Sequence, residues 1–305
     1  MRGQAGDTSE TIAKQAKKIR VVLEAEPPSD YRIYAIRIGT TLKARRNLFI
    51  VDPSLPKRIE VAFSFWVVKG EARVILIDTG FVNKGMVARW NIKRYHHPTE
   101  VLKEIGLLPD QVTDVVITHS HWDHSGGLAL FTNARIWITQ PALNSIRRRF
   151  RKTLQKAKRE HRLRITRSVQ TIAPSVVVVP VGLHTPGFQY VVVRRQDGNW
   201  VFASDIAPLW ANFERKKTTR QTDNRVRTLI VQDTILKLVN GNLKRIVPGH
   251  EPRIHGEKNI VEINDNSATQ KKLSTEDLPN SSLPLDDEGF GVSEKNKQPT
   301  RKKTR

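Results

Sequence analysis

Cysteine is absent from the chain, which excludes disulfide bonds and metal sites built on thiolates. Long apolar runs are missing too, because none reaches the roughly eighteen residues that a transmembrane helix needs. Residues 1–25 include basic side chains but lack the apolar segment of a secretory signal. We therefore expect a cytoplasmic protein without a membrane span, and the sequence leaves its oligomeric state open.

Acidic residues are few compared with basic ones. The chain has 30 Asp and Glu against 52 Lys and Arg, which gives a formal net charge of +22. Nearly half of this excess lies in Ile146–Arg167, where eleven residues are basic and Glu160 is the one acid. This pattern predicts an exposed basic helix over Arg147–Arg167. Such a helix is either an ordinary solvated surface or a non-specific, salt-sensitive binding site for polyanions.

Polar segments at both ends frame one central domain. Residues 1–28 end in Pro27-Pro28, which predicts an N-terminal extension with a short helix that stops before the prolines. Residues 264–305 carry eight basic, seven acidic and one aromatic residue, so we predict a disordered polar tail. Strand and helix patterns alternate in residues 29–263, which predicts a single α/β domain.

The sequence predicts two helices in this domain together with details of their ends or faces. Thr99–Ile105 is predicted with Thr99 as its N-terminal cap, because a threonine hydroxyl can accept a hydrogen bond from the first turn. Asp223–Val239 is predicted from its helical spacing of apolar residues. The residues predicted to share one face are Val226, Ile230, Thr234 and Leu238.

The densest cluster of potential metal ligands follows the apolar strand predicted over Asp114–Thr118. It reads His119-Ser120-His121-Trp122-Asp123-His124 and is followed by two glycines. Neutral imidazole and carboxylate are ligands that Zn²⁺ and similar ions accept. His119 and His121 are two residues apart, so an extended backbone points both side chains the same way. Asp123 and His124 lie beyond the bend and can face a second ion.

Three further potential ligands follow predicted strands downstream. His184 comes after the strand predicted over Ser175–Val181, Asp205 after Trp200–Ala203, and His250 after Arg245–Val247. A single histidine after a strand is usually structural. Their placement at strand ends, together with the upstream cluster, indicates that these residues complete a metal site.

These motifs resemble the metallo-β-lactamase superfamily, over roughly residues 31–262. The resemblance rests on Ile77-Asp78-Thr79-Gly80, the His-x-His-x-Asp-His run and the later His, Asp and His. Within the superfamily the chain is most similar to the N-acyl homoserine lactonase group, through His184-Thr185-Pro186-Gly187 and Ala203-Ser204-Asp205. The resemblance implies an α/β fold, a four-layer αβ/βα sandwich, with residues 29–263 as the hydrolase domain.

The resemblance also implies two divalent metal ions, zinc foremost, with manganese, iron or cobalt as alternatives. His119, His121 and His184 would hold one ion, and Asp205 would bridge both. Asp78 would support the loop that carries the ligands. The ligands implied for the second ion are Asp123, His124 and His250.

The implied reaction is hydrolysis of a small acylated substrate. Two close divalent ions can lower the pKa of a shared water, and the resulting hydroxide can attack a carbonyl carbon. Asp123 would position that hydroxide or accept its proton. The expected substrate is a lactone of the N-acyl homoserine type or a related ester. Two alternatives stay open, namely a nuclease of the same fold acting on RNA or DNA and a thioester hydrolase similar to glyoxalase II.

Aromatic residues near the motifs are the candidates for binding the substrate. Trp122, Phe188 and Trp210 are aromatic side chains near the motifs that could line an acyl pocket. Lactonases of this group commonly place a tyrosine three residues after the bridging aspartate, where this chain has Pro208. Proline offers no donor. Trp210 is therefore the predicted replacement donor, through its indole N–H.

Overall fold

A computed structural model describes residues 3–265, with side chains described from residue 10 onward. Most of the predicted polar tail, residues 266–305, lies outside this range. None of the helices in the described part of the chain combines the length and apolar character needed to cross a bilayer. The helices are α1 Gly3–Glu24, α2 Arg46–Phe49, α3 Lys84–Arg89, α4 Pro98–Glu104, α5 Trp122–Ser125, α6 Gln140–Ile146, α7 Arg151–Arg159, α8 Trp210–Glu214 and α9 Arg225–Leu238.

Twelve strands of the described residues form two sheets. They are β1 Arg32–Arg45, β2 Arg58–Lys69, β3 Val74–Ile77, β4 Asp114–Val116, β5 Arg135–Thr139, β6 Leu163–Thr166, β7 Gln170–Ala173, β8 Val176–Pro180, β9 Gln189–Arg195, β10 Gly198–Ser204, β11 Ile246–Pro248 and β12 Ile260–Ile263. The first sheet has the order β12-β1-β2-β3-β4-β5-β6 and the second has the order β11-β10-β9-β8-β7. Strands β3 to β6 pair in parallel, as do β10 and β11, and the other neighbours are antiparallel.

Three apolar clusters separate four layers of structure. One lies between the two sheets and includes Ile33, Trp66 and Phe202. A second packs α4, α6 and α7 against the other face of the first sheet. A third packs α1 and α9 against the other face of the second sheet. Because both faces of the sheets are covered, the inner part of β2, residues 61–68, is buried continuously and does not alternate, with Ser64 as its one polar residue. The predicted αβ/βα sandwich is confirmed.

Helix α1 is longer than the short helix that the sequence predicts. It spans 22 residues and ends before the prolines, as expected. Ile12, Ile19 and Leu23 share one face of the helix and are buried in the cluster with α9 and the second sheet. The domain boundary after residue 28 stays a prediction.

The two specific helix predictions need correction. Helix α4 begins at Pro98, so Thr99 lies inside the first turn. The preceding residue, His97, takes the cap position, and its backbone N–H donates to the Glu100 carboxylate at 3.2 Å. The helix predicted over Asp223–Val239 is present as α9, but the face through Val226 is only partly buried, because Val226 is 66% exposed whereas Leu238 is buried. The residues that α9 buries are Thr228, Val231, Gln232, Ile235 and Leu238.

The basic segment is not a single helix. Helix α7 covers nine of its residues, and the chain then reverses at His161, which has a φ of 52°. It continues as β6, the edge strand of the first sheet. Leu154 and Ala157 are the buried residues of α7, so its other faces are open to solvent.

Candidate metal centre

The potential metal ligands lie together because all of them follow strands that end at the same edge of the sandwich. In the first sheet, β3 leads to Asp78, and its parallel neighbour β4 leads to the histidine-rich loop. In the second sheet, β8, β10 and β11 run in the same direction and lead to His184, Asp205 and His250. Strand direction therefore brings together residues up to 172 positions apart in the chain (250 − 78).

The first group of ligand atoms consists of three imidazole nitrogens and one carboxylate oxygen. His119 Nε2 is 2.9 Å from His121 Nδ1, which in turn is 3.2 Å from His184 Nε2. Asp205 Oδ2 lies 3.3 Å from His184 Nε2 and 3.7 Å from His119 Nε2. These four residues form a group that can hold one metal ion.

The second group lies on the other side of Asp205. His124 Nε2 and His250 Nε2 are 3.3 Å apart, and Asp123 Oδ2 is 3.8 Å and 3.6 Å from them. Asp205 turns its other oxygen, Oδ1, toward this group, at 3.4 Å from His124 and 3.2 Å from His250. One carboxylate therefore faces both groups, which is the arrangement expected for a bridging ligand. Oδ1 is buried and has no hydrogen-bond partner among the described residues.

Hydrogen bonds to the opposite ring nitrogens orient three of the imidazoles. His124 Nδ1 donates to Asp78 Oδ2 at 2.7 Å, and His250 Nδ1 donates to the carbonyl of Ala62 at 2.8 Å. His119 Nδ1 lies 3.0 Å from the Thr118 hydroxyl. Because these contacts place the ring protons on Nδ1, the Nε2 lone pairs point toward the centre, as metal ligands require.

Asp78 holds both the loop and the potential ligand His124. Its Oδ1 accepts the backbone N–H of Thr118 at 2.8 Å, and its Oδ2 accepts from the Thr118 hydroxyl and from His124. The carboxylate is completely buried, and the residue has a φ of 61°, in the left-handed region. These are the contacts that its expected supporting role requires.

The electrostatics of the centre favour a bound cation. Burial, together with the neighbouring histidines, lowers the pKa of His121 to about 4, so its ring is neutral at physiological pH. Burial alone would also lower the pKa of His124, but the carboxylates of Asp205, Asp123 and Asp78 outweigh it and raise that pKa to about 10. Although burial opposes ionisation of Asp205, His250 and His124 hold its pKa well below the usual range. The carboxylates therefore require positive charge here.

The donor set fits divalent metal ions. Unprotonated imidazole nitrogens that face one another at 2.9–3.3 Å repel each other unless a proton or a cation lies between them. Two tetrahedral Zn–N bonds of about 2.0–2.1 Å place their nitrogens about 3.3 Å apart, which is close to the separations within both groups. Asp205 Oδ1, buried without a hydrogen-bond partner, is a further free acceptor for a cation.

The approach of β11 to Asp205 requires a glycine. A Cβ atom on Gly249 would lie 2.2 Å from Asp205 Oδ1 and 3.0 Å from the carbonyl carbon of Ser204. Any larger residue would therefore displace the carboxylate that both groups share.

Solvent reaches the centre along the histidine-rich loop. Residues 120–123 are partly exposed, including His121 and Asp123, whereas His119, His124 and His250 are buried. A substrate would therefore approach past the 120–123 segment.

The three predicted substrate-binding aromatics differ in position. Trp122 is partly exposed beside this opening and packs against Phe63 and Phe81, with ring centroids 5.6 and 4.6 Å away. Phe188 is fully buried behind His119, at 5.5 Å between centroids, so its ring packs against a potential ligand and is closed to solvent. The prediction for Phe188 is wrong because its ring belongs to the core under the site.

The prediction for Trp210 is also wrong. Its side chain is 1% exposed in the core between the sheets, and its indole N–H donates to the carbonyl of Ile246 at 2.8 Å. It cannot donate to a substrate at the same time. Pro208 is buried, and its carbonyl accepts the backbone N–H of His250 at 2.8 Å. This position therefore helps to place a ligand but offers no donor.

Sequence reasoning missed the individual role of Arg149. Its guanidinium donates to the hydroxyl of Ser125 and to the carbonyl of Ser120, at the two ends of the ligand-bearing loop. The sequence indicated this arginine only as one member of a basic run, because no local pattern reveals which cation folds back on the loop.

Comparison with known proteins agrees with this geometry. A sequence profile of the metallo-beta-lactamase superfamily matches residues 61–250. The N-acyl homoserine lactonase AiiA of Bacillus thuringiensis subsp. kurstaki is 23% identical over 163 residues, which cover 49% of this chain and 65% of that protein. The match thus spans less than two thirds of the relative's length.

Solved structures show the same fold. A probable metal-dependent hydrolase from Staphylococcus aureus superposes with a TM-score of 0.62 at 17% identity, covering 74% of this chain and 91% of that one. A quorum-quenching N-acyl homoserine lactone lactonase gives a TM-score of 0.60 at 18% identity, with 74% and 94% covered. The dizinc quorum-quenching lactonase AidC gives 0.58 at 16% identity, with 74% and 89% covered. Since the family profile spans most of the chain and includes the clustered histidines, this protein belongs to the metallo-beta-lactamase superfamily.

Proposed function

We propose that this protein is a dinuclear metal-dependent hydrolase that opens a lactone or a related carboxylic ester. The observation that carries the proposal is the pair of ligand groups that share the two oxygens of Asp205. His119, His121 and His184 would hold one ion, and Asp123, His124 and His250 would hold the other. Zinc is the first candidate because imidazole nitrogens and carboxylate oxygens are the ligands of many catalytic zinc sites.

The ions, when bound, would supply Lewis acidity and a water of lowered pKa. The residues would supply positioning and proton transfer. Asp123 lies at the exposed side of the centre, so its carboxylate is placed to accept a proton from an entering water and return it to the leaving alkoxide. Asp78, fully buried, would keep His124 in one tautomer throughout.

An apolar acyl group fits the surroundings of Trp122. Its partly exposed ring packs on Trp90 and on the buried rings of Phe63 and Phe81, and Phe63 also contacts the His250 ring at 5.6 Å. The exposed part of Trp122 therefore lies on an aromatic base beside the second ligand group and the opening. The similarity to homoserine lactonases, at 23% identity, favours a lactone with an acyl chain as the first substrate to test.

Metal analysis and a substrate panel test the proposal. Protein reconstituted with zinc should hold about two equivalents, since both groups are complete. It should hydrolyse an N-acyl homoserine lactone, and His121→Ala should abolish turnover and bind less zinc. His161→Asn is the matched control, because that histidine is exposed and lies outside the cluster. Failure to bind metal would refute the proposal.

The same panel separates the two alternatives. A glutathione thioester tests for a hydrolase similar to glyoxalase II, and a structured RNA tests for a nuclease. Zinc-loaded protein that cleaves one of these and no lactone or ester would replace the proposed substrate class while keeping the metal centre.

A further inference from the structure

The basic segment presents an unusual density of unpaired positive charge. Ten of the eleven Lys and Arg residues between 147 and 167 are exposed, and Arg162 is the partly buried exception. Glu160 pairs with Arg162 and Lys156. Within the described part of the chain, no carboxylate forms an ion pair with the other nine, which are Arg147, Arg148, Arg149, Arg151, Lys152, Lys158, Arg159, Arg164 and Arg167.

These cations extend over several elements. They lie on the turn after α6, on the exposed faces of α7, and on and just after edge strand β6. At one end the surface reaches the candidate metal centre, because Arg149 contacts both ends of the ligand-bearing loop. A ligand bound here would therefore extend past the opening at residues 120–123.

Unpaired like charges at this density repel one another, so the surface is stabilised by any partner that supplies regularly spaced negative charge. Nucleic acid and an anionic membrane both do so. A membrane-surface helix also needs an exposed apolar face. Here the apolar residues of α7, Leu154 and Ala157, are buried against the domain. The exposed large apolar residues of the described chain, Val21, Leu42, Val82, Leu108 and Val226, all lie outside the segment.

The kind of cation also favours nucleic acid. Eight of the eleven basic residues are arginines, whose planar guanidinium groups bind phosphate through paired hydrogen bonds. We propose that residues 147–167 form a binding surface for the phosphate backbone of a nucleic acid, independent of base sequence. The proposal does not depend on the reaction at the metal centre.

Salt-dependent binding to a fluorescein-labelled DNA duplex tests the surface, with the full, zinc-loaded chain. The test variant is Arg151→Gln/Lys152→Gln/Lys158→Gln. The control variant, Lys57→Gln/Lys84→Gln/Lys103→Gln, removes an equal number of positive charges outside the segment, and these lysines are also exposed. Circular dichroism and thermal melting would establish that both variants are folded.

Wild-type binding should weaken steeply with salt. Each phosphate contact contributes about 0.9 to the magnitude of the slope of log K against log salt concentration. The test variant should therefore have a slope smaller in magnitude by about 2–3, and it should bind at least about tenfold more weakly near 0.1 M salt. The control should stay within about twofold of wild type, since non-contacting charges add little. Equal weakening in both variants would overturn the proposal, because net charge alone would then explain binding. Binding to phosphatidylserine vesicles without binding to the duplex would overturn it in favour of a membrane.

Discussion

Replacing Asp78 with asparagine tests how the metal centre depends on a residue that is not itself a ligand. The carboxylate accepts from the Thr118 backbone, the Thr118 hydroxyl and His124 Nδ1. Asparagine keeps one acceptor oxygen for Thr118, and it tolerates the left-handed φ of this position. Its amide nitrogen replaces the second oxygen and can only donate, so the N–H of His124 Nδ1 loses its acceptor.

The expected consequence is weaker metal binding with the fold retained. Without an acceptor at Nδ1, His124 favours the tautomer that carries its proton on Nε2, which faces the centre. Loss of such a supporting contact typically costs 10–100-fold in metal affinity, or about 1.4–2.8 kcal/mol. Zinc affinity would be measured by competition with a chromophoric chelator, and stability by urea unfolding of the metal-free protein.

Asp114→Asn is the matched control. This aspartate is also completely buried, but it lies at the start of β4, at the end of the strand away from the ligands. It accepts from Arg73, Arg135 and the Trp137 indole, so its loss should lower stability and leave zinc affinity unchanged. Unaltered zinc affinity in folded Asp78→Asn would refute the reasoning. Equal loss of affinity in both variants would do so as well, because destabilisation alone would then account for the effect.

Three further predictions concern packing and pH. Gly249→Ala should weaken zinc binding at least about tenfold in the same competition assay, because the added methyl group displaces the Asp205 carboxylate. Unchanged zinc affinity would mean that the chain after β11 can shift away from Asp205. Trp210→Phe should lower the free energy of unfolding by about 1–3 kcal/mol, because the buried carbonyl of Ile246 loses its donor, and it should leave kcat/KM unchanged. A selective fall in kcat would instead support the predicted role of Trp210 as a donor to the substrate. Burial, reinforced by a nearby arginine, lowers the pKa of His255 to about 3, so the unfolded chain takes up a proton below pH 6.5 and the native state does not. Stability should therefore fall by about 1.4 kcal/mol per pH unit from 6.5 toward 3, and His255→Gln should remove that contribution in urea unfolding across this range; identical pH profiles would contradict it.

The candidate metal centre was predictable from the sequence because four of its potential ligands lie within four residues of the end of an apolar strand. A strand that is buried on both faces gives a continuous apolar run, and the residue after it emerges at the sheet edge. His119, His184, Asp205 and His250 all show this pattern. The spacing in His-x-His-x-Asp-His then limits which side chains of the loop can face the same ion. The motif and the strand directions therefore point to the same edge of the sandwich.

The roles of the large aromatic and basic residues were decided only by tertiary structure. Trp210 and Phe188 are near ligands in the chain, yet each packs into a core cluster, since burying a large ring outweighs its proximity to the motif. In the basic segment, helical spacing gave no warning of the reversal at His161 or of the pairing of β6 with β5. The motifs and their resemblance thus predicted the family and the fold, which the family profile and the two sheets confirm, and they brought forward the candidate ligands that the structure places together. The roles of the side chains around these candidate ligands depend on contacts between residues that are distant in the chain. Their hydrogen-bond partners and packing surfaces exist only after both sheets have formed.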